Sequence, residues 1–419
     1  MDKIASGGFA ANDEIVFAKK AERISVPICE KTTVTELSDD FTLPDYRPEI
    51  RRLLKISAIL PPPSSYVSPS AAEFSGDVIY NVLYVGGDGK LNSVELTAVY
   101  EADAELERSD DGGAVSAVDE VEAENVTGRV VAPRKLNIRC RLRHTVRAEE
   151  EQSLEVDMIG EGDGENIMRL TDTGVSCVRI CGEDDSFEIE ENLSLPGDAR
   201  VICGEAVPLI GDCELKNGEV SCRGALYLKV LYDIEGGSPS LLEKKIPFEA
   251  AIPINGEGEG WECRVHGCAT SVSTDINESG AVCRIRLALS AEAQKNLPAK
   301  LTKDIFATDR ACEVTSESMR VCVAACCSNG NFTVSGSSEL SGLPDSFEIV
   351  SSSATAEAEE LSAENGKYHL TGNVVSRLSF LAMESILAAS LSCHSNMNSA
   401  LPRATRTITA PSSPVPRFA

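Results

Sequence analysis

The chain has 419 residues, of which 66 are acidic and 39 basic, so its formal net charge is −27 and its isoelectric point is near 4.6. This charge disfavours binding to nucleic acid or anionic lipid, because association would begin against long-range repulsion. A hydrophobic fraction of 42% predicts globular domains with cores. Only 5% of the residues are aromatic, so aliphatic side chains and cysteines must fill those cores.

The beginning of the sequence contains no continuous apolar segment of the kind that signal peptides have. Nowhere do about 18 apolar residues run together, as a membrane-spanning helix would require. We therefore predict a cytoplasmic location without membrane insertion. Fifteen cysteines in such a chain predict reduced, mostly buried thiols and not a disulfide framework.

One composite pattern occurs three times and predicts three related units. It consists of a Leu-Pro pair, a glycine 28 or 32 residues after the proline, and an aromatic residue eight positions after the glycine. The copies are Leu43, Pro44, Asp45, Gly76 and Tyr84; Leu195, Pro196, Gly224 and Tyr232; and Leu343, Pro344, Asp345, Gly372 and Phe380. Successive prolines lie 152 and 148 residues apart, which is the size of one domain.

A short helix is predicted directly after the first Leu-Pro-Asp turn. Pro48 stands where the first turn of a helix accepts proline, because its missing N–H would have no partner there. Ile50, Leu53 and Leu54 follow with the spacing of one helix face. Helix signals are scarce elsewhere, so we expect few short helices in the whole chain.

The glycine of each copy lies in a predicted strand. Every second residue of 74–84, 222–232 and 370–380 is mostly apolar or small, which places these residues on one face of a strand. Glycine-rich turns after the first two strands predict hairpins. Similar alternation recurs at 138–142 and 283–289. The sequence therefore predicts an all-β protein of tandem, antiparallel, sandwich-like units, two complete and one partial.

The units are placed at residues 22–148, 174–297 and 304–384. The acidic, glycine-rich stretch 149–173 between the first two units is typical of an exposed linker. Residues 385–419 contain no Asp or Glu and end in Pro-, Ser- and Arg-rich sequence, which predicts a disordered or aberrant tail. Either a change of reading frame near its start or a truncated unit with an unrelated tail would explain this stretch.

Several of these segments resemble the SPOCS domain of clostridial spore-morphogenesis proteins of the SipL type. The resembling segments are 41–55, 74–84, 224–232, 246–248, 343–345 and 364–372. The second copy has Gly197 after its proline, where the family tends to have aspartate. The resemblance covers roughly residues 25–380.

The resemblance implies a non-enzymatic scaffold in the mother cell, at the forespore surface where the morphogenetic ATPase of the spore coat assembles. It implies protein partners, with that ATPase as one candidate, and it supplies no cofactor and no catalytic residue. In the best-described family arrangement a LysM module engages the ATPase, and the C-terminal stretch shows no LysM-like segment. The residues of the three copies are carried over as structural positions.

Other chemistry is disfavoured by residue spacing. Cys263, His266 and Cys268 lie close in sequence, but strand alternation places Cys263 on the opposite face, so core packing is expected and not zinc binding. The cysteines at 322–327 are interpreted in the same way. His144 has no evident Ser or Cys partner and is expected on a solvated strand face. Neither a Walker A nor a dinucleotide-binding motif is present.

A second function class stays open, namely a carbohydrate- or cell-wall-binding module, because β-sandwiches often serve this purpose. Sugar sites favour exposed aromatic platforms. The single tryptophan, Trp261, and the low aromatic content weigh against this interpretation. The oligomeric state does not follow from the sequence.

Overall fold

The computed structural model describes residues 4–5, 19–108, 112–157, 167–182, 185–235, 237–256, 258–277, 280–308, 316–317, 347–364, 367–382 and 391–402. Within these ranges the chain forms strands and turns, and every strand pairing is antiparallel. The predicted all-β class is confirmed. No helix in the described ranges is long and apolar enough to cross a membrane.

The chain divides into two compact parts, Met1–Ala324 and Ala325–Ala419. The strands of the first part are β1 (Ile4–Ala5), β2 (Lys19–Thr42), β3 (Ile50–Ile59), β4 (Ser64–Val67), β5 (Ala71–Gly86), β6 (Leu91–Glu105), β7 (Val115–Ala132), β8 (Lys135–Asp157), β9 (Ile167–Cys181), β10 (Asp185–Leu193), β11 (Ala199–Lys216), β12 (Glu219–Ile234), β13 (Ser240–Pro253), β14 (Glu262–Asn277), β15 (Gly280–Ala307) and β16 (Ser316–Glu317). The second part contains β17 (Phe347–Glu364), β18 (Lys367–Ala382) and β19 (Leu391–Pro402). Strands β1 and β16 pair with each other.

The first β-unit is a sandwich of two sheets. One sheet has the order β2-β8-β7, and in the other β5 pairs with β3 and β4 on one side and with β6 on the other. A continuous core forms where the two sheets face each other, with Val78, Tyr80 and Tyr84 from β5 and Ile138 and Leu142 from β8. The alternating residues around the first repeated glycine are therefore the buried face of a central strand.

The second β-unit has the same order of pairing. Its sheet β10-β15-β14 corresponds to β2-β8-β7, and its sheet β11-β12-β13 corresponds to β3-β5-β6. Its core again combines the central strands, with Leu226 and Leu228 from β12 and Ile285 and Leu287 from β15. Strand β9 pairs with the far end of β15, as the start of β2 pairs with the far end of β8.

The helix predicted after the first Leu-Pro-Asp turn is wrong, because Ile50–Ile59 form strand β3. Two register shifts, one after Ile50 and one after Leu53, insert an extra residue each into this strand. As a result Ile50, Leu53 and Ile56 all lie opposite inward-facing positions of β5 and contribute to the core. Two bulges thus turn the two-residue spacing of a strand into the three-residue spacing that imitates a helix.

The predicted linker, 149–173, is mostly strand and not exposed loop. Strand β8 continues to Asp157 and pairs with the start of β2, while β9 begins at Ile167. Residues 158–166 lie outside the described residues. Residues 304–307, which the repeat pattern places in the third unit, extend β15 and pair with β9. Both sheets are therefore longer than the sequence pattern indicated.

Two glutamates of the supposed linker are buried, which is the reverse of the expectation for an acidic run. Glu149 is 7% exposed and Glu150 is fully buried. Arg179 Nη1 lies 2.8 Å from a carboxylate oxygen of Glu149, and Arg108 Nε lies 2.9 Å from Glu150 Oε1. Each buried charge is therefore compensated by an arginine that is distant in sequence.

The third unit shows one three-stranded sheet, β17-β18-β19, with the order of β11-β12-β13. The predicted disorder of 385–419 is wrong for residues 391–402, which form β19 and pair with β18 from Leu378 to Lys367. Main-chain pairing makes few demands on composition, so a stretch without acidic residues can still supply a strand. Residues 403–419 lie outside the described residues.

Candidate functional site

The motif residues of the first copy assemble at one end of the first sandwich. Leu43 is buried, and its N–H donates to the carbonyl of Arg134 at 2.9 Å. The Arg134 side chain donates in turn to the carbonyl of Pro44 at 2.5 Å. The hydroxyl of the buried Tyr84 donates to the carbonyl of Pro48 at 3.2 Å. These contacts hold the turn in place, so the residues of the first copy have a structural role there.

The remaining motif residues of the copies are less alike. Asp45 is exposed, and the Pro196 carbonyl accepts a hydrogen bond across the turn before β11. Tyr232 is half-buried at the end of β12, and the backbone of Phe380 pairs within the β17–β18 ladder. Pro344 and Asp345 lie outside the described residues. The three glycines, Gly76, Gly224 and Gly372, face Tyr100, Phe248 and Met397 on the neighbouring strand.

The outer face of the sheet β11-β12-β13 carries large exposed apolar side chains. Val207 is 57% exposed, Leu209 41% and Tyr227 45%. Val207 stands directly opposite Tyr227, and Leu209 stands opposite Ala225. We define the outer apolar face as Val207, Leu209, Ala225, Tyr227 and Pro247, the last of which stands opposite Ala225 on β13. These five residues form two adjacent rows across three strands.

The corresponding face of the first unit is covered only in part, because Asp77 and Val99, which take the positions of Ala225 and Pro247, are exposed. Counted from the repeated glycine, Ile79 takes the position of Tyr227, and Ile79 is buried. Further along β5, Leu83 is also buried, and its ladder neighbour Ser93 donates to the carbonyl of Ile202 in the second unit. The second unit therefore packs on part of the outer face of the first, around Leu83 and Ser93, whereas Val207, Leu209 and Tyr227 on its own equivalent face are exposed.

Two further contacts fix this packing of the first unit on the second. Lys55 Nζ lies 2.7 Å from Glu205 Oε1, and Arg200 donates to the carbonyl of Leu91 at 2.9 Å. At a separate point, the Arg179 N–H donates to Ser25 Oγ at 3.1 Å. The two β-units thus form one packed pair that is held at two places.

A cleft of about 640 Å³ is lined by both β-units. The first unit contributes residues 60–65, Phe74 and residues 117–122, and the second contributes Cys181, Gly182, Arg264, His266, Gly267 and residues 290–292. Prolines 61–63 give the lining an apolar part. Most of the titratable groups in the lining come from β7, β14 and β15. The polar and apolar parts of the lining are therefore supplied by different segments of the chain.

Three side chains with metal-ligating atoms meet in this cleft. Glu120 comes from β7, His266 from β14 and Glu292 from β15, and their ligating atoms lie within 4.8 Å of one another. His266 and Glu292 are diagonal neighbours on one face of the β14–β15 ladder, since Glu292 stands opposite Arg264 and His266 opposite Ser290. The arrangement therefore combines one strand of the first unit with two strands of the second.

The surroundings of His266 lower its pKa. Burial lowers its pKa most, and the neighbouring guanidinium groups of Arg264 and Arg147 lower it further. The carboxylates of Glu292 and Glu120 act in the opposite direction, but the pKa still lies below the usual value of a histidine. The Nε2 atom of His266 is buried and has no hydrogen-bond partner among the described residues.

Proximity in sequence groups His266 with the wrong side chains. Cys263 lies in the core of the second unit, on the face opposite His266, as the alternation predicted. The side chains that approach His266 are Glu120 and Glu292, which are distant from it in sequence. No local spacing reveals such a group, because it exists only once β7 packs beside β14 and β15.

The prediction of a solvated His144 is wrong. His144 is fully buried, its Nδ1 lies 2.8 Å from Asp119 Oδ2, and its ring centroid lies 5.4 Å from that of Tyr100. The signal was available in the alternation of β8, where Leu142 and Val146 on either side of His144 are both buried. Its arginine neighbours in sequence belong to the other face.

The SipL SPOCS-domain family matches residues 199–277. This segment runs from the first residue of β11 to the last residue of β14, so it includes the outer apolar face and His266. No curated protein matches the chain. The matched domain marks a sporulation-related protein. Residues 199–277 are therefore assigned to the SPOCS-domain family of the SipL type.

Proposed function

We propose that the chain is a non-enzymatic scaffold of endospore envelope morphogenesis, which docks other spore proteins through its β-units. The observation that carries this proposal is the outer apolar face, which lies inside the SPOCS match and is exposed on three strands. Contiguous apolar surface of this kind typically marks a site of protein–protein contact. The equivalent face of the first unit supports the same interpretation, because the second β-unit packs on part of it, next to Leu83 and Ser93.

The partner that fits this face is a protein with an apolar patch and a basic rim. The chain carries 27 more acidic than basic side chains, so a basic partner gains from electrostatic steering. Lys245 Nζ lies 5.5 Å from the centroid of the Tyr227 ring, and this cation–π contact helps to hold the ring within the face. The morphogenetic ATPase of the spore coat is our candidate partner.

The proposed location is the mother-cell cytoplasm, at the forespore surface where the coat assembles. The described cysteines support a reducing compartment, since ten of them are not part of a disulfide. The rival function, binding to carbohydrate or cell wall, would need an aromatic platform. The half-buried Trp261 lies beside Lys295, whose Nζ is 5.9 Å from the ring centroid, and this favours a packed role over a sugar platform.

The test follows a fluorescent fusion of the full chain in sporulating cells. We expect a shell around the forespore for the wild type and diffuse fluorescence for the double variant Val207→Ser, Tyr227→Ser. The matched control is Val99→Ser on the edge strand β6, which removes a side chain that is 64% exposed in the first unit. A diffuse wild type, or a shell that survives the double variant, would contradict the proposal.

A binding measurement separates the two function classes. The purified full chain is mixed with the purified coat ATPase and, separately, with isolated cell-wall sacculi. Binding to the ATPase that the double variant weakens at least about tenfold, or 1.4 kcal/mol, supports the scaffold. Binding to sacculi alone would replace the scaffold by the wall-binding function.

A further inference from the structure

We propose that Glu120, His266 and Glu292 bind a divalent transition-metal ion of the Zn²⁺ class, and that this ion fastens the first β-unit to the second. The three ligating atoms already lie within 4.8 Å of one another. A single ion at a usual metal–ligand distance of about 2.0–2.2 Å can contact atoms at such separations after small side-chain rotations. The site is independent of the outer apolar face, which lies on the sheet β11-β12-β13.

Each of the three side chains has an atom that can take a metal ion. The Nε2 atom of His266 is buried without a hydrogen-bond partner among the described residues, and a buried lone pair in that state is an uncompensated polar group. Arg147 and Arg264 both donate to the same oxygen of Glu120, Oε1. The second oxygen of Glu120 therefore stays available to a cation.

The carboxylate of the remaining ligand, Glu292, acts electrostatically on His266 but makes no hydrogen bond or ion pair with the side chains that the structure describes. It stands opposite Arg264, whose guanidinium instead reaches towards Glu120, with 3.4 Å between Nη1 and Oε1. A divalent cation between the two glutamates would satisfy both carboxylates and the histidine together. The guanidinium groups of Arg147 and Arg264 stay hydrogen-bonded to Glu120 Oε1 and support this ligand.

The donor set selects the class of ion. Calcium and magnesium prefer sites made only of oxygen ligands, whereas an imidazole nitrogen with carboxylate oxygens suits zinc and its neighbours in the first transition series. Three protein ligands leave room for water in the cleft to complete the coordination. The clustered ligating atoms of the described residues include no thiol, since Cys263 lies in the core of the second unit and the Sγ atom of Cys181, which also lines the cleft, lies 2.9 Å from Ser116 Oγ.

The ion would act on the arrangement of the two β-units, because the ligands come from both. Metal binding requires the packed pair, so its free energy adds to the stability of that packing and not to either sandwich alone. A scaffold that presents several docking surfaces benefits from a fixed angle between its units. Zinc would therefore raise the melting temperature of the intact chain.

The test uses the full chain, freed of metal and kept reduced, with ZnCl₂ in calorimetric titration and Co²⁺ as a spectroscopic probe. We expect one ion per chain and Co²⁺ bands without a thiolate charge-transfer component. Loss of even an outer-shell partner typically weakens metal sites about 10–100-fold, so His266→Ala and Glu292→Gln should each weaken binding at least about tenfold. Glu120→Gln should abolish the zinc-dependent rise in melting temperature.

Matched controls keep the result specific. Glu188→Gln changes an exposed carboxylate on β10 of the same sheet, and His369→Ala removes a histidine from β18. Both should bind zinc as the wild type does, and circular dichroism of the metal-free variants should show unchanged strand content. Absence of binding, binding that none of the three ligand variants weakens, or a thiolate band in the one-to-one Co²⁺ complex would overturn the proposal.

Discussion

Gly76 lies directly across the β5–β6 ladder from Tyr100, and a Cβ atom built on Gly76 would lie 2.5 Å from the Tyr100 hydroxyl oxygen. The tyrosine ring therefore covers the glycine backbone and takes the space of a side chain. Gly224 has the same relation to Phe248 in the second unit, where the nearest ring atom would lie 2.7 Å from the added Cβ. The repeated glycine is thus a packing position beneath an aromatic ring.

This relationship predicts that Gly76→Ala destabilises the protein by about 1–3 kcal/mol, because the ring or the strand must move to accept the methyl group. The matched control is Gly87→Ala in the neighbouring turn, where the nearest atom would lie 3.9 Å away. Urea unfolding followed by circular dichroism measures both. Replacing Tyr100 by Leu in the Gly76→Ala background should recover part of the loss, and equal effects of the two alanine substitutions would contradict the account.

The buried pair of His144 and Asp119 predicts a large effect of a single substitution. Both side chains are fully buried, and Asp119→Ala would leave a buried imidazole without its only described partner at 2.8 Å. We expect a loss of about 2–4 kcal/mol in the free energy of unfolding. Asp103→Ala on the exposed side of edge strand β6 is the control and should change it by less than about 0.5 kcal/mol.

The cysteines give a prediction of chemical reactivity and its pH dependence. Burial raises the pKa of Cys268 to about 11 and those of Cys203 and Cys213 to about 12. Only the thiolate reacts with alkylating reagents, so a raised pKa means slow labelling near neutral pH and a rate that keeps rising with pH. Peptide mapping after iodoacetamide treatment measures this.

The unfolded chain is the control for these thiols, because unfolding restores their ordinary exposure. Labelling of Cys203, Cys213 and Cys268 should be fast in urea and slow in the native protein. Equal rates in the two states would show that the thiols are accessible. A rate that levels off near neutral pH would contradict the raised pKa values.

The sequence pattern anticipated those parts of the fold that depend on strand alternation. The inward faces of β5 and β12 and the hairpins that follow them could be predicted, because buried and exposed residues alternate along a strand. The same alternation placed Cys263 and His266 on opposite faces of β14. It failed at β3, because two bulges after Ile50 and Leu53 changed the spacing of its buried residues.

The other differences arise from partners that are distant in sequence. Glu149 and Glu150 looked solvated, since nothing in their neighbourhood predicted the approach of Arg179 and Arg108. The cluster of Glu120, His266 and Glu292 in the cleft could not be predicted from the sequence either, because Glu120 belongs to the first unit and the other two residues to the second. Local periodicity predicts which way a side chain points, whereas charge compensation requires knowledge of the packed units.

The last prediction concerns β19, which pairs with β18 along twelve residues from Leu378 to Lys367. Deleting residues 391–419 removes this strand and leaves one side of β18 without its backbone partners. We expect faster hydrogen exchange at 367–378 and cleavage there by dilute protease. Deleting only 403–419 is the control, because β19 ends at Pro402 and every described pairing remains. A synthetic peptide of residues 391–402, added to the longer deletion, should restore protection by strand addition. Equal exchange at 367–378 in both truncated chains would instead show that the sheet is stable without β19.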